Sequence, residues 1–345
     1  MTDRTGCHPI STVDPQIAHG LSVRDQAAIQ DAMCLLQALA DGRPHPATAL
    51  PGAWLASRRK DALERLDRWG LGVVRDQAGM LRLQRPVELL AEERIYQALS
   101  EDLRARLRLH VFPELDSTSV WLGRLDADSG DVACFAEHQS AGRGRRGRGW
   151  QMPFGGGLAM SLRRDVSHWP GVPPRLTLAL GVALAEALGH DEIGLKWPND
   201  LVARGRKLGG ILVELRRREQ RSVLVVGLGL NLALPADAAI DQPWIDLAGL
   251  MGTGLPPRNA LAGHLLEALS RALDDFYAQP AETLLARWSR YDVLSGVPVR
   301  VTSAMDEVLE GEARGVDSEG RLRVVGQDRE WLLDAGEVSV RRALP

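Results

Sequence analysis

The chain has 345 residues, 45% hydrophobic and 25% charged, a balance that suits two or three globular domains and excludes a disordered or fibrous chain. With 42 Lys+Arg against 45 Asp+Glu the net charge is -3, so no global basic field announces nucleic acid or a membrane surface, and any such partner must meet a local patch. Cys7, Cys34 and Cys134 are odd in number and far apart, which indicates neither a disulfide framework nor a zinc site and fits a cytoplasmic protein; no signal peptide is visible, and the most apolar stretch, 176–188, is shorter than the ~20 residues that span a bilayer.

Residues 1–21 lack periodicity and contain Pro9, Pro15 and Gly20, which reads as a flexible leader. Apolar residues then recur at helical spacing over 25–39 (Ala28, Cys34, Leu35, Leu39), and Asp41-Gly42 ends that helix. A short segment from Pro46 runs to Pro51-Gly52, and a second helix follows with Leu55, Leu63, Leu66 and Trp69 on one face before Gly70. Short apolar runs at 73–74 and 81–83, around Ala78-Gly79, read as a hairpin. Helices followed by a hairpin predict a winged helix-turn-helix over 22–86. Arg58, Arg59, Lys60, Arg65 and Arg68 decorate its second helix as candidate DNA contacts, but Asp61, Glu64 and Asp67 interleave with them and leave a modest positive balance.

A charged helical stretch over 92–107 leads into a second domain, 87–294. Its strands are expected at 109–115, 132–137, 158–162, 194–197, 211–215 and 223–229, with helices at 175–188, 259–277 and 281–291. Strands outnumber helices too far for a βαβ repeat, so an α+β domain with a mixed sheet covered by helices is expected. From 295 to the end, five short strands with turns at Asp317-Ser-Glu-Gly320 and Asp334-Ala-Gly336 predict a small β-barrel.

The segment from Gln139 to Trp150 interleaves four arginines (Arg143, Arg145, Arg146, Arg148) with four glycines directly after a strand. Glycines let backbone amides approach an anion, and guanidinium groups offer forked donors that match phosphate and carboxylate oxygens. Gly142-x-Gly144-x-x-Gly147 also has the spacing of a dinucleotide fingerprint, but that fingerprint opens a helix, and here Gly149 and Pro153-Phe-Gly-Gly-Gly157 follow instead. An RNA-binding arginine-glycine tract and a plain solvated loop are further readings, and the loop alone does not decide among them.

Three more segments narrow the choice: Asp116-Ser-Thr118 at a strand end, Lys196-Trp-Pro-Asn-Asp200, and Lys207-Leu-Gly-Gly-Ile211. With Gln139 and the loop, these resemble in order and spacing the biotin-protein ligases, specifically the type whose N-terminal winged helix makes it a biotin-operon repressor as well. The resemblance covers the chain from about residue 22 to the end.

It implies a class II synthetase-like central fold, an SH3-like C-terminal domain, and two steps of chemistry. Biotin and ATP give biotinyl-5'-AMP, with Mg2+ as cofactor, and a lysine of the biotin carboxyl carrier protein of acetyl-CoA carboxylase then takes the biotinyl group. Carried onto this sequence, it assigns Lys207, Arg143 and Arg145 to catalysis, and Ser117, Thr118, Ser119, Gln139, Arg143, Gly144, Arg145 and Lys207 to biotin. It assigns Arg146, Trp150, Asn199, Asp200, Asn231 and Arg341 to ATP or the adenylate, and Asp200 to Mg2+. Operator DNA and a homodimer of the adenylate-bound form are the other implied partners, with no membrane. Ser119 replaces the Asn common at that place in the family. A DNA-binding regulator without ligase activity, or a lipoate-type ligase, are the alternative readings.

Overall fold

The computed structural model describes residues 23–47, 56–126, 130–218, 220–303, 308–335 and 338–342. The expected leader, and Pro51, Gly52 and Leu55 of the N-terminal reading, lie outside them. The N-terminal unit has two helices, α1 (Val23–Leu39) and α2 (Ala56–Arg68), and three short strands, β1 (His45–Pro46), β2 (Val73–Arg75) and β3 (Met80–Leu83). These strands form an antiparallel sheet in the order β1-β3-β2. Ala32, Met33, Leu35, Leu36 and Leu39 of α1 face Ala62 and Leu66 of α2, with Trp69, Leu81 and Leu83, in one core. Cys34 is disulfide-bonded, a correction to the reading of the cysteines, and Cys134 is free and buried.

The predicted helix over 92–107 is two short ones, α3 (Glu92–Gln97) and α4 (Glu101–Arg106). Ser100 divides them: its hydroxyl accepts the Leu103 N–H at 3.3 Å, so it serves better as an N-cap than inside a helix. The central sheet comprises β4 (Leu107–Leu115), β5 (Asp131–Gln139), β6 (Gly157–Asp165), β7 (Ile193–Lys196), β8 (Asp200–Ala203), β9 (Arg206–Arg218) and β10 (Arg221–Asn231). Their order is β4-β5-β6-β10-β9-β8-β7, with β4 and β5 parallel and every other pair antiparallel, the mixed sheet expected.

Alternation along the strands gives the sheet two apolar faces. Val132 and Cys134 of β5 and Val223 and Val225 of β10 pack on Trp121 and Leu122 of α5 (Thr118–Arg124), a helix the sequence reading missed. Ala133 and Phe135, with Leu224 and Val226, turn instead to the main core. There they meet α6 (Arg175–Leu188) and α8 (Arg258–Asp275), while α7 (Leu247–Met251) and α9 (Ala281–Ser289) pack at the margins. In α6, Leu176, Leu180, Leu184 and Leu188 are buried, each stabilising the fold by about 1.5–3 kcal/mol. Gly189 stops the helix in the left-handed conformation, φ 60°. No helix among the described residues is long and apolar enough to cross a membrane.

The C-terminal unit is an antiparallel sheet in the order β14-β13-β12-β11-β15, formed by β11 (Pro298–Ser303), β12 (Val308–Val316), β13 (Leu322–Val325), β14 (Glu330–Leu333) and β15 (Val338–Arg342). Among the described residues β14 and β15 are its edges, so the described part of the small barrel expected here is a five-stranded antiparallel sheet.

Candidate active site

The parallel strands β4 and β5 end together, with Leu115 opposite Gln139, and this register builds the floor of the site. The chain leaving β4 turns at Ser117, the first residue before α5, so the hydroxyls of Ser117, Thr118 and Ser119 are buried beside Gln139. The Gln139 Oε1 accepts the Thr118 N–H at 2.8 Å and its hydroxyl at 3.2 Å. Thr118 Oγ1 also meets Ser161 Oγ at 2.8 Å, and Ser117 Oγ meets Ser119 Oγ at 3.2 Å. Serine at 119 therefore keeps a polar contact within the cluster. Ser161 was not foreseen; a buried hydroxyl in the otherwise apolar run Leu158-Ala-Met-Ser-Leu162 is the signal that could have found it.

The glycine-arginine loop rises beyond Gln139 as a closed turn. Arg143 bridges to Gly149, the Gly144 N–H donates to the Arg148 carbonyl at 2.7 Å, and the Trp150 N–H donates to that of Gly142 at 2.8 Å. At its tip Arg146 sits in the left-handed region, φ 56°, at a cost of about 1 kcal/mol for a residue with a Cβ. The loop does not open a helix, which removes the dinucleotide reading. Arg145 donates to Asn199 Oδ1 at 3.1 Å, and burial, with Arg148 and Arg146 close by, pushes its guanidinium below the usual arginine range while Asp200 opposes. Arg143 reaches Glu214 at 3.4 Å.

Opposite the loop, Lys196 and Asp200 face each other across the β7–β8 hairpin, whose turn holds a cis Trp197-Pro198 bond. Lys196 ends β7, in line with the strand expected there, but strand β8 was not expected, so Lys196-Trp-Pro-Asn-Asp200 also makes the turn of a hairpin. Asn199 donates to the Ile211 carbonyl at 2.7 Å, and Lys207 pairs with Asp200 at 2.8 Å. The backbone of Lys207 is fixed from two sides. Its N–H donates to the Pro243 carbonyl at 3.0 Å, and its own carbonyl accepts from Ile245 at 3.0 Å and from Asn231 Nδ2 at 3.3 Å.

Trp150 packs against β10 at Gly229, where an added Cβ would clash with the indole ring. The Lys207 ammonium sits 5.6 Å from that ring's centre, and the Trp150 N–H is buried with no partner among the described residues. Together these residues enclose a cavity of about 470 Å³. Ser117, Thr118, Ser119, Gln139, Arg143, Gly144, Arg145, Arg146, Trp150, Asn199, Asp200 and Lys207 all line it, as do Arg148 of the loop and the unforeseen Ser161 and Gln242.

Two expected site residues stand apart. Asn231, 2% exposed, does not line the cavity and turns its amide to the carbonyls of Lys207 and Ile245. Arg341 pairs with Arg300 through the backbone, and its side chain lies outside the described residues. The C-terminal unit reaches the cavity through Val340, and the Gly320 carbonyl accepts the Trp197 indole N–H at 3.0 Å. Arg58, Arg59 and Lys60 are remote from it, on α2.

Residues 114–231, which hold most of this cradle, match the biotin/lipoate A/B protein ligase family, and 294–341 match the biotin protein ligase C-terminal domain. The bifunctional ligase/repressor BirA of Salmonella typhimurium is 35% identical over 326 residues, 90% of this chain and 98% of that protein. The chain belongs to the biotin protein ligase family. The biotin–[acetyl-CoA-carboxylase] ligase of Mycobacterium tuberculosis is 36% identical over 223 residues, 61% of this chain and 80% of its own length. Among solved structures, the biotin protein ligase of Aquifex aeolicus in complex with biotin and ATP superposes with a TM-score of 0.59 at 25% identity. It covers 68% of this chain and 99% of its own. For a member of the biotin protein ligase family, the arrangement is chemically coherent: several cations and a polar floor converge where two anions must be held against their mutual repulsion.

Proposed function

We propose that this chain is an ATP-dependent biotin-protein ligase. It joins the biotin carboxylate to the α-phosphate of ATP, releasing pyrophosphate, and passes the biotinyl group to a lysine of the biotin carboxyl carrier protein of acetyl-CoA carboxylase. The observation that carries this reading is the convergence of Lys207, Arg143 and Arg145 on one cavity whose floor is Ser117, Thr118 and Gln139.

The hydroxyls and the Gln139 amide suit the planar ureido ring of biotin, which presents both donors and acceptors. Lys207, a compact charge with a clamped backbone, bridges the biotin carboxylate and the α-phosphate, and its pairing with Asp200 yields to them. Arg143, Arg145 and Arg146 close on the phosphates and stabilise the charge that develops at phosphorus. Asn231 acts through Lys207, as the strut that fixes its carbonyl. Trp150 forms part of the cavity wall on the side given to the adenylate.

Mg2+ commonly uses one or two protein carboxylates plus phosphate oxygens, and Asp200 is a carboxylate of the cavity that fits that pattern. When bound it would lower the charge on the triphosphate. No cluster of three or more His, Cys, Asp or Glu that could hold a metal without substrate exists among the described residues. The test of the ligase reading is biotin-dependent pyrophosphate release followed by labelling of carrier protein. A chain that does neither with ATP, Mg2+ and biotin is not a ligase, and competition between biotin and lipoate separates the lipoate alternative.

The same proposal includes a biotin-responsive repressor with 22–86 as its winged helix, 87–294 as its catalytic domain and 295–345 as an SH3-like domain. The order β1-β3-β2 beside α1 and α2 supports the winged helix. The DNA contacts need revision. Arg58 makes a forked pair with Asp31 of α1, at 2.8 and 2.5 Å, and Arg65 is buried against Glu114 at 2.9 Å. Arg59 and Lys60 are the candidates left on that stretch of α2. Binding of an operator duplex by the full chain, falling steeply with salt and rising with biotin and ATP, is the expected result. Sedimentation with and without biotinyl-5'-AMP tests the homodimer that the proposal also includes.

A further inference from the structure

Only three of the 42 Lys+Arg residues are lysines: Lys60, Lys196 and Lys207. The imbalance bears on the chemistry proposed above, because a mixed carboxylic-phosphoric anhydride is an acylating agent whose target is a lysine amine. An arginine guanidinium keeps its proton and does not compete. A chain that makes such a compound meets it whenever it escapes before transfer.

The three lysines differ in access. Lys207 is half-buried and paired with Asp200 at 2.8 Å, and Lys196 is half-buried in the cavity wall. The side chain of Lys60 is 77% exposed on α2, and its ion pair with Glu64, at 3.7 Å, is a one-turn surface pair that opens readily.

We propose that Lys60 is the site on this chain that its own activated product acylates. The free Lys60 amine attacks the acyl carbon of biotinyl-5'-AMP. The new C–N bond makes an amide, the C–O bond to the phosphate breaks, AMP leaves with the electron pair, and the amine's proton passes to water. The product is neutral, loses its attraction to Glu64, and carries a bulky group next to Arg59 on the helix assigned above to DNA. A modified chain therefore records that adenylate was made faster than an acceptor removed it. The inference rests on the ligase reading for its source of adenylate, but the site itself can be tested without it.

The full chain is incubated without acceptor in two arms, one with biotin, ATP and Mg2+ and one with chemically prepared biotinyl-5'-AMP, and labelled residues are mapped by tandem mass spectrometry. Lys60 is expected to carry most of the label in both arms, and Lys60→Arg to lower total incorporation by about tenfold. In urea, where the fold no longer shields them, Lys196 and Lys207 are expected to label as well. Label in the supplied-adenylate arm alone sinks the ligase reading and leaves the site standing. Label that is undiminished in Lys60→Arg, that falls mainly on Lys196, Lys207 or the terminal amine of the folded chain, or that has the same pattern in urea as in buffer, overturns the inference.

Discussion

The molecule uses arginine in two opposite ways. In the rear of the sheet Arg258 gives two hydrogen bonds to the Gly157 carbonyl, at 3.1 and 2.8 Å, one to the Glu88 carbonyl at 3.1 Å, and one to the Glu137 carboxylate at 2.5 Å. Arg164 is similarly spent on Asp131, Asp274 and Ser270. In the loop over the cavity, Arg143 has a single ion pair at 3.4 Å, Arg145 one hydrogen bond to a neutral amide, and Arg146 no ion pair among the described residues. Saturated guanidinium groups tie elements together; unsaturated ones keep donors for an anion that arrives later. The number of unspent donors, more than the number of arginines, marks the site.

That contrast can be broken by substitution. Arg258→Ala leaves Glu137 buried without its cation, and denaturant unfolding is expected to show a loss of about 3–5 kcal/mol. A loss no larger than that from a surface arginine would mean that the rear network is not structural. Lys207→Ala is expected to keep the unfolding midpoint close to that of the parent chain and to cut biotin-dependent pyrophosphate release by about 10²–10³-fold, the range for one preorganised charge-stabilising donor. Retained activity would move the bridging charge elsewhere.

Gly229→Val drives a side chain into the Trp150 indole, so overpacking of about 1–3 kcal/mol is expected to appear as weaker biotin or ATP binding in calorimetry. Unchanged binding would mean that the tryptophan does not shape the wall. The smallest effect on binding belongs to Arg58→Ala, which takes a half-exposed guanidinium from the buried Asp31 carboxylate at a cost of about 1–3 kcal/mol of stability. Its removal is expected to leave duplex affinity nearly level, and a tenfold fall in that affinity would return Arg58 to the DNA interface.

Much of the site was legible because its residues are short-range in sequence. The loop 142–150, the hairpin motif and Lys207 each carry their chemistry within a few positions, and the structure brings all of them to one cavity. The helix α5 was missed because Thr118 and Val120 are β-branched and follow a strand, while its stability comes from Trp121 and Leu122 packing across β5 and β10, a tertiary effect. Strand β8 was missed because four residues after a proline turn offer too short a period to read. The roles of Asn231, Glu214 and Ser161 depend on partners 14 to 71 residues away, such as Ile245 for Asn231 and Arg143 for Glu214, and no local pattern encodes those.

Phe154 follows shortly after Trp150 in the chain, yet its ring stacks on Trp69 at 4.6 Å and belongs to the core of the N-terminal unit. Arg85 crosses the same seam to the Phe154 and Ala233 carbonyls. The two units are thus not beads that a protease or a cloning boundary can part cleanly. A catalytic fragment cut near residue 86 would carry an orphaned aromatic on its surface, a seed for self-association, and the N-terminal fragment would be left with a socket where that ring had been. Losing the N-terminal unit in evolution, or trimming it at the bench, calls for rewriting Phe154 in the same stroke.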